Sequence, residues 1–331
     1  SKTLFYVRLD DNHRPRQVFR HTLGTATEDD VLVYEEPDPA FYVGLGQTQS
    51  ERFIMIVAHD HETSEVYLID AGEPDGAPQL IAPRKTGHEY SVDHHDDKLI
   101  ILTNSGDAED FRITEAPIAA PQQENWREVV AHKPGRLILD MVAYSNHLVR
   151  LERENGLPRL VIRRFEDAAE HQVAFDEDAY SLGLSHGYEF DTRTIRFTYS
   201  SMTTPAAVYD YDVEERARTL RKQQEVPSGH DPDNYITRRL YAPAHDGESV
   251  PVSLLVALPA FVLSNLLGIL LALVAAYHRG KFWDKTVMVF AAVGMSISYL
   301  MVVIAFQVLF CTSYGLNWFP VQGWVEPPPD Y

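Results

Sequence analysis

Short apolar segments recur at nearly constant intervals through the first three quarters of this 331-residue chain. The starts of the five clearest are separated by 49, 46, 49 and 47 residues, and they cover residues 4–7, 53–56, 99–102, 148–151 and 195–198. Each is followed by a polar turn and a second apolar segment, and the Asn155-Gly156 pair is a favoured tight-hairpin turn. Branched and aromatic residues in short segments between turns are typical of β-strands.

An even repeat of this length predicts the blades of a β-propeller, each made of four strands. Residues 1–248 contain four complete repeats and most of a fifth, because the position of Lys2 corresponds to the interior of a repeat and not to its start. A β-sandwich of similar length is the alternative, but it does not account for the even spacing. We therefore predict an all-β fold over 1–248, a partial β-propeller of about four to five four-stranded blades, followed by two transmembrane α-helices.

The prediction of transmembrane helices depends on an abrupt change of composition near residue 251. Residues 252–277 and 286–310 carry no charge, and each stretch is long enough to cross a bilayer core. The loop between them, 278–285, carries three cations and one acid, which places it on the cytoplasmic side. We predict a two-helix membrane segment over 252–310 and an extramembrane tail over 311–331. Buried helices of a soluble protein are the alternative.

Charge narrows the choice of partners. The net charge is −19, and all of the excess lies before residue 249. Such a surface disfavours nucleic acid and attracts basic peptides, although an acidic surface also simply aids solubility. The single cysteine, Cys311, excludes an intramolecular disulfide framework and a cysteine-rich zinc site.

One motif matches the sequence pattern of a catalytic serine. The run Gly183-Leu-Ser185-His-Gly187 matches the G-x-S-x-G pattern, which places a serine on a strained turn between a strand and a helix. The residues that follow lead into another strand-like segment, 194–199, and not into a helix. We therefore predict an inter-strand loop here and no catalytic residue.

Two histidine-rich runs imitate metal sites. The larger contains His88, Glu89 and 93–97, but side chains on a strand alternate between faces, so His94 and His95 are expected to point in opposite directions. The smaller, residues 59–62, lies in a predicted hairpin turn. The pair Gly44 and Gly46 lacks the third glycine of a dinucleotide fingerprint. We predict no metal ligand, no cofactor-binding residue and no cofactor.

Several motifs resemble one peptidase family. They are residues 3–10 (TLFYVRLD), 87–93 (GHEYSVD), 153–156 (RENG), 199–205 (YSSMTTP) and the run that begins KQQEV at 222 and ends VPVSL at 254. Together they resemble oligopeptidase B, of the prolyl oligopeptidase family, over about 1–254. The resemblance implies a soluble, typically cytoplasmic parent that cleaves short peptides after basic residues, with a propeller that caps the active site. It also implies that the catalytic serine, aspartate and histidine belong to a hydrolase domain downstream of Leu254, so we expect no peptidase activity from the chain as it stands.

A second resemblance covers about 255–324. Its motifs are residues 256–259 (VALP), 277–280 (YHRG), 283–285 (WDK), 294–298 (GMSIS) and 315–320 (GLNWFP). They are similar to the permease subunits of peptide-importing ABC transporters. We therefore expect a chimera, a non-catalytic propeller that admits short basic peptides joined to a permease-like membrane fragment. An inner-membrane transporter component, a membrane-tethered peptide-binding module and a peptidase completed by a partner chain are the alternatives.

Overall fold

The computed structural model describes residues 2–186, 189–227, 229–231, 234–243 and 249–251, together with 270, 273 and 277. The chain divides into two compact units, Ser1–Arg238 and Arg239–Tyr331. Among the described residues, no helix is long and apolar enough to cross a membrane. Apart from three positions, the predicted spans 252–277 and 286–310 lie outside the described residues, so they stay predictions.

The described residues of the first unit form five antiparallel sheets, which we call blades 1 to 5. Blade 1 contains β1 (Thr3–Leu9), β2 (Pro15–Thr22) and β3 (Val31–Glu35). Blade 2 contains β4 (Tyr42–Gln47), β5 (Phe53–His59), β6 (Ser64–Asp70) and β7 (Gln79–Leu80). Blade 3 contains β8 (Tyr90–His95), β9 (Lys98–Thr103), β10 (Arg112–Pro117) and β11 (Arg127–Val130).

The remaining strands complete the list. Blade 4 contains β12 (Arg136–Ala143), β13 (His147–Glu154), β14 (Leu157–Arg164) and β15 (Glu170–Gln172). Blade 5 contains β16 (Tyr180–Leu184), β17 (Thr194–Ser201), β18 (Ala207–Asp212) and β19 (Ala217–Gln223). Two short 3₁₀ helices, Thr27–Asp29 and Gln123–Asn125, lie between strands, and in the second unit β20 (Tyr241–Pro243) pairs with β21 (Ser249–Pro251).

This arrangement confirms the all-β, propeller-like prediction for the described part of the chain. Strands within each blade are hydrogen-bonded in chain order, and the five repeated apolar segments are β1, β5, β9, β13 and β17. Asn155 and Gly156 both have positive φ, 52° and 73°, in the turn between β13 and β14. Those are the angles that a two-residue hairpin of the predicted type requires.

Each pair of neighbouring blades shares one apolar core. In β9, Leu99 and Ile101 pack towards blade 2, whereas Ile100 and Leu102 pack towards blade 4. All four are nearly inaccessible to solvent. A continuous apolar run is typical of a strand buried on both faces, and β9 is the clearest case among the strands that carry the repeat.

A buried ion cluster also joins blades 1 and 2. The Arg84 guanidinium, which follows β7, contacts a Glu36 carboxylate oxygen at 2.7 Å and a Glu65 carboxylate oxygen at 2.8 Å. It also lies 4.1 Å from the centroid of the Phe41 ring. Burial opposes ionisation of Glu36, but bonds from Arg84 and Tyr34 hold the pKa of its carboxyl below the usual range. Arg84 therefore favours the ionised form of Glu36, together with Tyr34 and the backbone N–H of Asp38.

The two end blades present unlike faces on the side that no described blade covers. On blade 1, Phe5 and Val7 pack against blade 2, so the alternating residue Tyr6 lies on the opposite face, stacked on Phe19 at 5.7 Å. On blade 5, the corresponding face carries the Asp210 carboxylate, which bonds both Arg196 and Arg221 at 2.6 Å. Both faces thus contain an acid with close partners, since Asp30 on blade 1 accepts the Tyr6 hydroxyl at 2.8 Å and lies 2.6 Å from His21 Nδ1, but only blade 1 has the aromatic pair.

Candidate functional site

The first strands of blades 2 to 5 border a single pocket. Strands β4, β8 and β12 and the residues after β16 supply most of its lining, and its volume is about 420 Å³. The lining residues are Gln47, Thr48, Gln49, Glu51, Met55, Ser91, Val92, Asp93, Asp140, Met141 and His186. We call it the central pocket, because four blades meet there.

Asp93 ties three blades together at this pocket. One carboxylate oxygen accepts the backbone N–H groups of Gln49 in blade 2 and His94 in blade 3, both at 2.9 Å. The other accepts the N–H of Ala143 in blade 4 at 2.8 Å. Burial raises the pKa of the Asp93 carboxyl to about 6, although the three N–H groups act in the opposite direction.

Asp140 and His186 link blades 4 and 5 at the same pocket. The His186 Nε2 atom lies 2.7 Å from an Asp140 carboxylate oxygen, and both side chains are partly exposed. The hydrogen bond to Asp140 raises the pKa of the His186 imidazole. The other Asp140 oxygen accepts the N–H of Met141 at 2.8 Å, which fixes the carboxylate at the pocket wall.

The lining is acidic. Glu51, Asp93 and Asp140 provide three carboxyl groups, and His186 is the only basic side chain in the lining of this pocket. A concave site dominated by one sign of charge attracts ions of the other sign, and carboxylates form their strongest hydrogen bonds with guanidinium and ammonium groups. The central pocket is therefore suited to a positively charged side chain or amino terminus.

The described part of the G-x-S-x-G run comprises the end of β16, at Gly183 and Leu184, and the two residues that follow it, Ser185 and His186. Gly183 is in β16, and the Ser185 N–H donates to the Arg196 carbonyl oxygen at 3.1 Å. Although His186 bonds Asp140, no hydrogen bond within the described part of the chain joins the Ser185 hydroxyl to that imidazole. Through His186, this run supplies part of the wall of the central pocket, and the absence of a nucleophile here stays a prediction.

A second serine and histidine do form a hydrogen bond. The Ser50 hydroxyl lies 2.7 Å from His94 Nδ1, and His94 Nε2 lies 2.7 Å from the Asp96 carbonyl oxygen. Ser50 also accepts the N–H of Arg52 at 3.3 Å, which makes it part of the turn between β4 and β5. A backbone carbonyl, and not a carboxylate, orients this imidazole, so the pair lacks the third member of a catalytic triad. That the whole chain lacks a catalytic residue stays a prediction.

The side chains of the histidine-rich run at 88–97 contact different parts of the propeller and do not converge on one site. His94 points to Ser50 in blade 2, whereas His95 Nε2 bonds the Ser145 carbonyl oxygen on the other side at 2.9 Å. Their opposite directions confirm the prediction. In the smaller run, the Asp60 carboxylate accepts two N–H groups of the turn between β5 and β6. No group of three or more potential metal ligands occurs among the residues that the structure describes.

Sequence reasoning did not single out the pocket residues as a group. Asp140 follows Asp93 by 47 residues and precedes His186 by 46. Both intervals equal one blade repeat, and residues one repeat apart lie side by side around a propeller. The repeat spacing, applied to polar as well as apolar residues, could have found them.

Sheets joined in chain order, with their first strands around one pocket, define a β-propeller domain. The family model described as "Prolyl oligopeptidase, N-terminal beta-propeller domain" matches residues 1–224. Because that match covers more than half of the chain, the protein belongs to the prolyl oligopeptidase family through its propeller. This finding confirms the resemblance of the propeller to the prolyl oligopeptidase family, whereas the permease resemblance over about 255–324 stays a prediction.

Several relatives extend the match. Dipeptidyl aminopeptidase BI from Pseudoxanthomonas mexicana is 37% identical over 256 residues, which are 77% of this chain and 35% of the relative. Protease 2 from Moraxella lacunata is 29% identical over 250 residues, 76% of this chain and 36% of the relative. The chain thus spans about a third of the length of these relatives.

Solved structures agree with the sequence match. Oligopeptidase B from Leishmania major superposes with a TM-score of 0.69 at 30% identity, over 76% of this chain and 36% of that one. Oligopeptidase B from Trypanosoma brucei, with covalently bound antipain, gives a TM-score of 0.68 at 30% identity, over 76% and 37% of the two chains.

Proposed function

We propose that residues 1–248 form the non-catalytic, substrate-gating propeller of a serine peptidase similar to oligopeptidase B. The observation that supports this most directly is the acidic central pocket, built on the first strands of a domain that the family's propeller model matches over 1–224. Gating here means that a short peptide with a basic residue is held at the pocket before it reaches a hydrolase domain.

The acidic lining and the volume of the central pocket favour a short basic peptide as its ligand. Glu51 and Asp140 offer carboxylate oxygens at a pocket of about 420 Å³, a volume within the range of small-ligand sites. Asp93 is saturated by three N–H groups, so it contributes charge but few further hydrogen bonds. An arginine side chain can meet the other two carboxylates directly.

The binding proposal is tested with a fluorescent tetrapeptide that contains one arginine and with its citrulline analogue, which keeps the shape without the charge. We expect the full chain to bind the arginine peptide more tightly, by about fivefold, since one lost charge–charge contact costs about 1 kcal/mol. Asp140→Asn combined with Glu51→Gln should remove that preference. The exposed change Asp11→Asn, outside the pocket, is the matched control. Equal affinity for the two peptides would contradict the proposal.

Peptide hydrolysis tests the non-catalytic part separately. We expect no cleavage of fluorogenic substrates after arginine or lysine by the purified chain, because the resemblance assigns the catalytic triad to a hydrolase domain. Turnover that a serine-reactive inhibitor abolishes would overturn this expectation.

We further propose that residues 252–277 and 286–310 span a membrane as a permease-like segment, with the loop 278–285 in the cytoplasm. Two long uncharged stretches and the basic loop between them support it. Cys311, the only thiol, should then react with a membrane-impermeant maleimide from the non-cytoplasmic side. A Lys281→Cys variant in a Cys311→Ser background should react only from the opposite side. Equal labelling of both thiols from one side would refute the topology.

A further inference from the structure

Turns from blades 3, 4 and 5 enclose a second pocket. Its volume is about 580 Å³, and its lining comes from the turn after β12, the loop between β14 and β15 and the turn between β18 and β19, together with His95 and Asp96 of blade 3. We call it the turn pocket. Among the described residues, none lines both this pocket and the central pocket.

Two imidazoles of blade 4 line the turn pocket with unpaired nitrogen atoms. His147 in β13 pairs with Arg164, whereas His171 in β15 pairs with Ile162, which is two positions before Arg164 in β14. Cross-strand partners lie on the same face of a sheet, and Ile162 packs into the core shared with blade 5. Both imidazoles therefore lie on the face towards blade 5.

The unpaired atoms are the Nε2 atoms of these two side chains. Within the described part of the chain, both are buried and have no hydrogen-bond partner, and His147 as a whole is only 3% exposed. Buried polar atoms in folded proteins are nearly always hydrogen-bonded. The pair of Nε2 atoms therefore marks a place for a polar group of a ligand.

Two arginines set the charge around the imidazoles. Arg164 and Arg216 both line the turn pocket, and both are exposed. Burial lowers the pKa of the His171 imidazole, Arg216 and Arg164 lower it further, and Glu214 acts in the opposite direction. The two guanidinium groups thus outweigh Glu214 at this imidazole, and their positive charge attracts an anion.

The other carboxylates of the lining compete little for this position. Both Glu170 oxygens are occupied, because Arg150 donates to them at 2.9 and 2.8 Å and Arg163 donates at 3.1 Å. The Asp96 side chain is 77% exposed and lies 3.8 Å from His95 Nδ1. Glu166 is likewise exposed. Around the two buried imidazoles the lining therefore offers mainly N–H donors.

We propose that the turn pocket binds a small molecule through an oxyanion group, a phosphate or a carboxylate, held between the two imidazoles and the two arginines. With its proton on Nε2, each imidazole donates one hydrogen bond, while a guanidinium matches the planar fork of an oxyanion and supplies charge. The Phe165 ring, stacked on His95 with 3.7 Å between centroids, gives the same pocket apolar surface for the organic part of the ligand. The site does not depend on the proposed gating function.

Isothermal titration calorimetry of the full chain with phenyl phosphate and with benzoate tests the proposal, because the two probes carry different oxyanions on one ring. At least one probe should bind, and the tighter one identifies the preferred oxyanion. Arg216→Gln should weaken that probe about tenfold, since a charged hydrogen bond is lost. Arg153→Gln, at an exposed arginine of blade 4 outside the turn pocket, is the matched control and should leave the affinity unchanged.

The part played by the imidazoles is measured with two substitutions of one residue. His171→Gln keeps an N–H donor and should bind nearly as well as wild type, whereas His171→Leu removes the donor and should bind about tenfold more weakly. Circular dichroism checks that the sheets remain folded. If a His171 variant unfolds, Arg164→Gln, at an exposed position, takes its place with the same expected loss.

Three results would overturn the proposal. The first is the absence of saturable binding of either probe up to about 10 mM. The second is an equal loss for Arg216→Gln and Arg153→Gln, which would indicate general attraction to surface charge. The third is equal affinity of the two folded His171 variants, which would show that the imidazole donates no hydrogen bond to the ligand.

Discussion

The carboxyl group of Asp93 couples the stability of the propeller to pH. It is 8% exposed and accepts three backbone N–H groups from three blades. Burial raises its pKa from 3.8 to about 6. Because the folded chain holds this proton more tightly than the unfolded chain does, the stabilisation is fully present below about pH 4 and is lost as the pH rises through about 6.

The size of the effect follows from the two pKa values. A difference of about 2 units corresponds to about 3 kcal/mol, and about 2 kcal/mol of it falls between about pH 4.5 and 7.5. Asp93→Asn cannot ionise, so it removes this dependence. It also turns an amide N–H₂ towards one backbone N–H donor, which costs about 1–3 kcal/mol at every pH. The free-energy difference between the two proteins isolates the titration from that constant cost.

Urea unfolding, followed by far-ultraviolet circular dichroism at several pH values, measures this difference. We expect the stability advantage of wild type over Asp93→Asn to shrink by about 2 kcal/mol between about pH 4.5 and 7.5. Contributions of other titrating groups cancel in the subtraction. An advantage that grows with pH would refute the reasoning, since it would mean that the three N–H groups outweigh burial and hold the carboxylate ionised.

Two further predictions concern stability. Arg84→Met leaves the buried Glu36 carboxylate without its cation, so we expect the free energy of unfolding in urea to fall by about 3 kcal/mol. Arg52→Met is the control, because it removes an ion pair whose arginine side chain is 58% exposed and should lower that free energy by less than about 1 kcal/mol. Phe197→Ala empties a fully buried position between blades 4 and 5 and should lower stability by about 3–5 kcal/mol. Leu220→Ala on the exposed strand β19 should leave it nearly unchanged, and equal losses for Phe197→Ala and Leu220→Ala would contradict this assignment of the core.

The sequence predicts the central strands of the blades well, because they are buried on both faces. Strand β9 contains an unbroken apolar run, and in β13 the apolar run is interrupted only by the buried Arg150; the spacing of such runs is enough to predict a propeller. The first and last strands are harder to predict for opposite reasons. Strand β8 reads YSVDHH, because its polar side chains join neighbouring blades, and β19 is exposed at every residue. Neither has the apolar pattern from which strands are predicted.

Only part of the candidate site could be predicted from the sequence. The opposite directions of His94 and His95 follow from strand alternation, so they could be predicted and are confirmed. The hydrogen bond between Asp140 and His186 joins blade 4 to blade 5. It forms because the fold places the first strands of these two blades side by side. An isolated Asp or His gives no hint of such a bond unless its position is compared with the blade repeat.

The unlike faces of the two end blades give the row of sheets a direction. A neighbour that covers Tyr6 and Phe19 gains most by contributing hydrocarbon surface. A neighbour over Asp210 must instead keep Arg196 and Arg221 satisfied with its own polar groups. The two faces therefore differ in chemistry: blade 1 carries an aromatic pair beside the contact between Asp30 and His21, whereas blade 5 carries one carboxylate shared by two guanidinium groups.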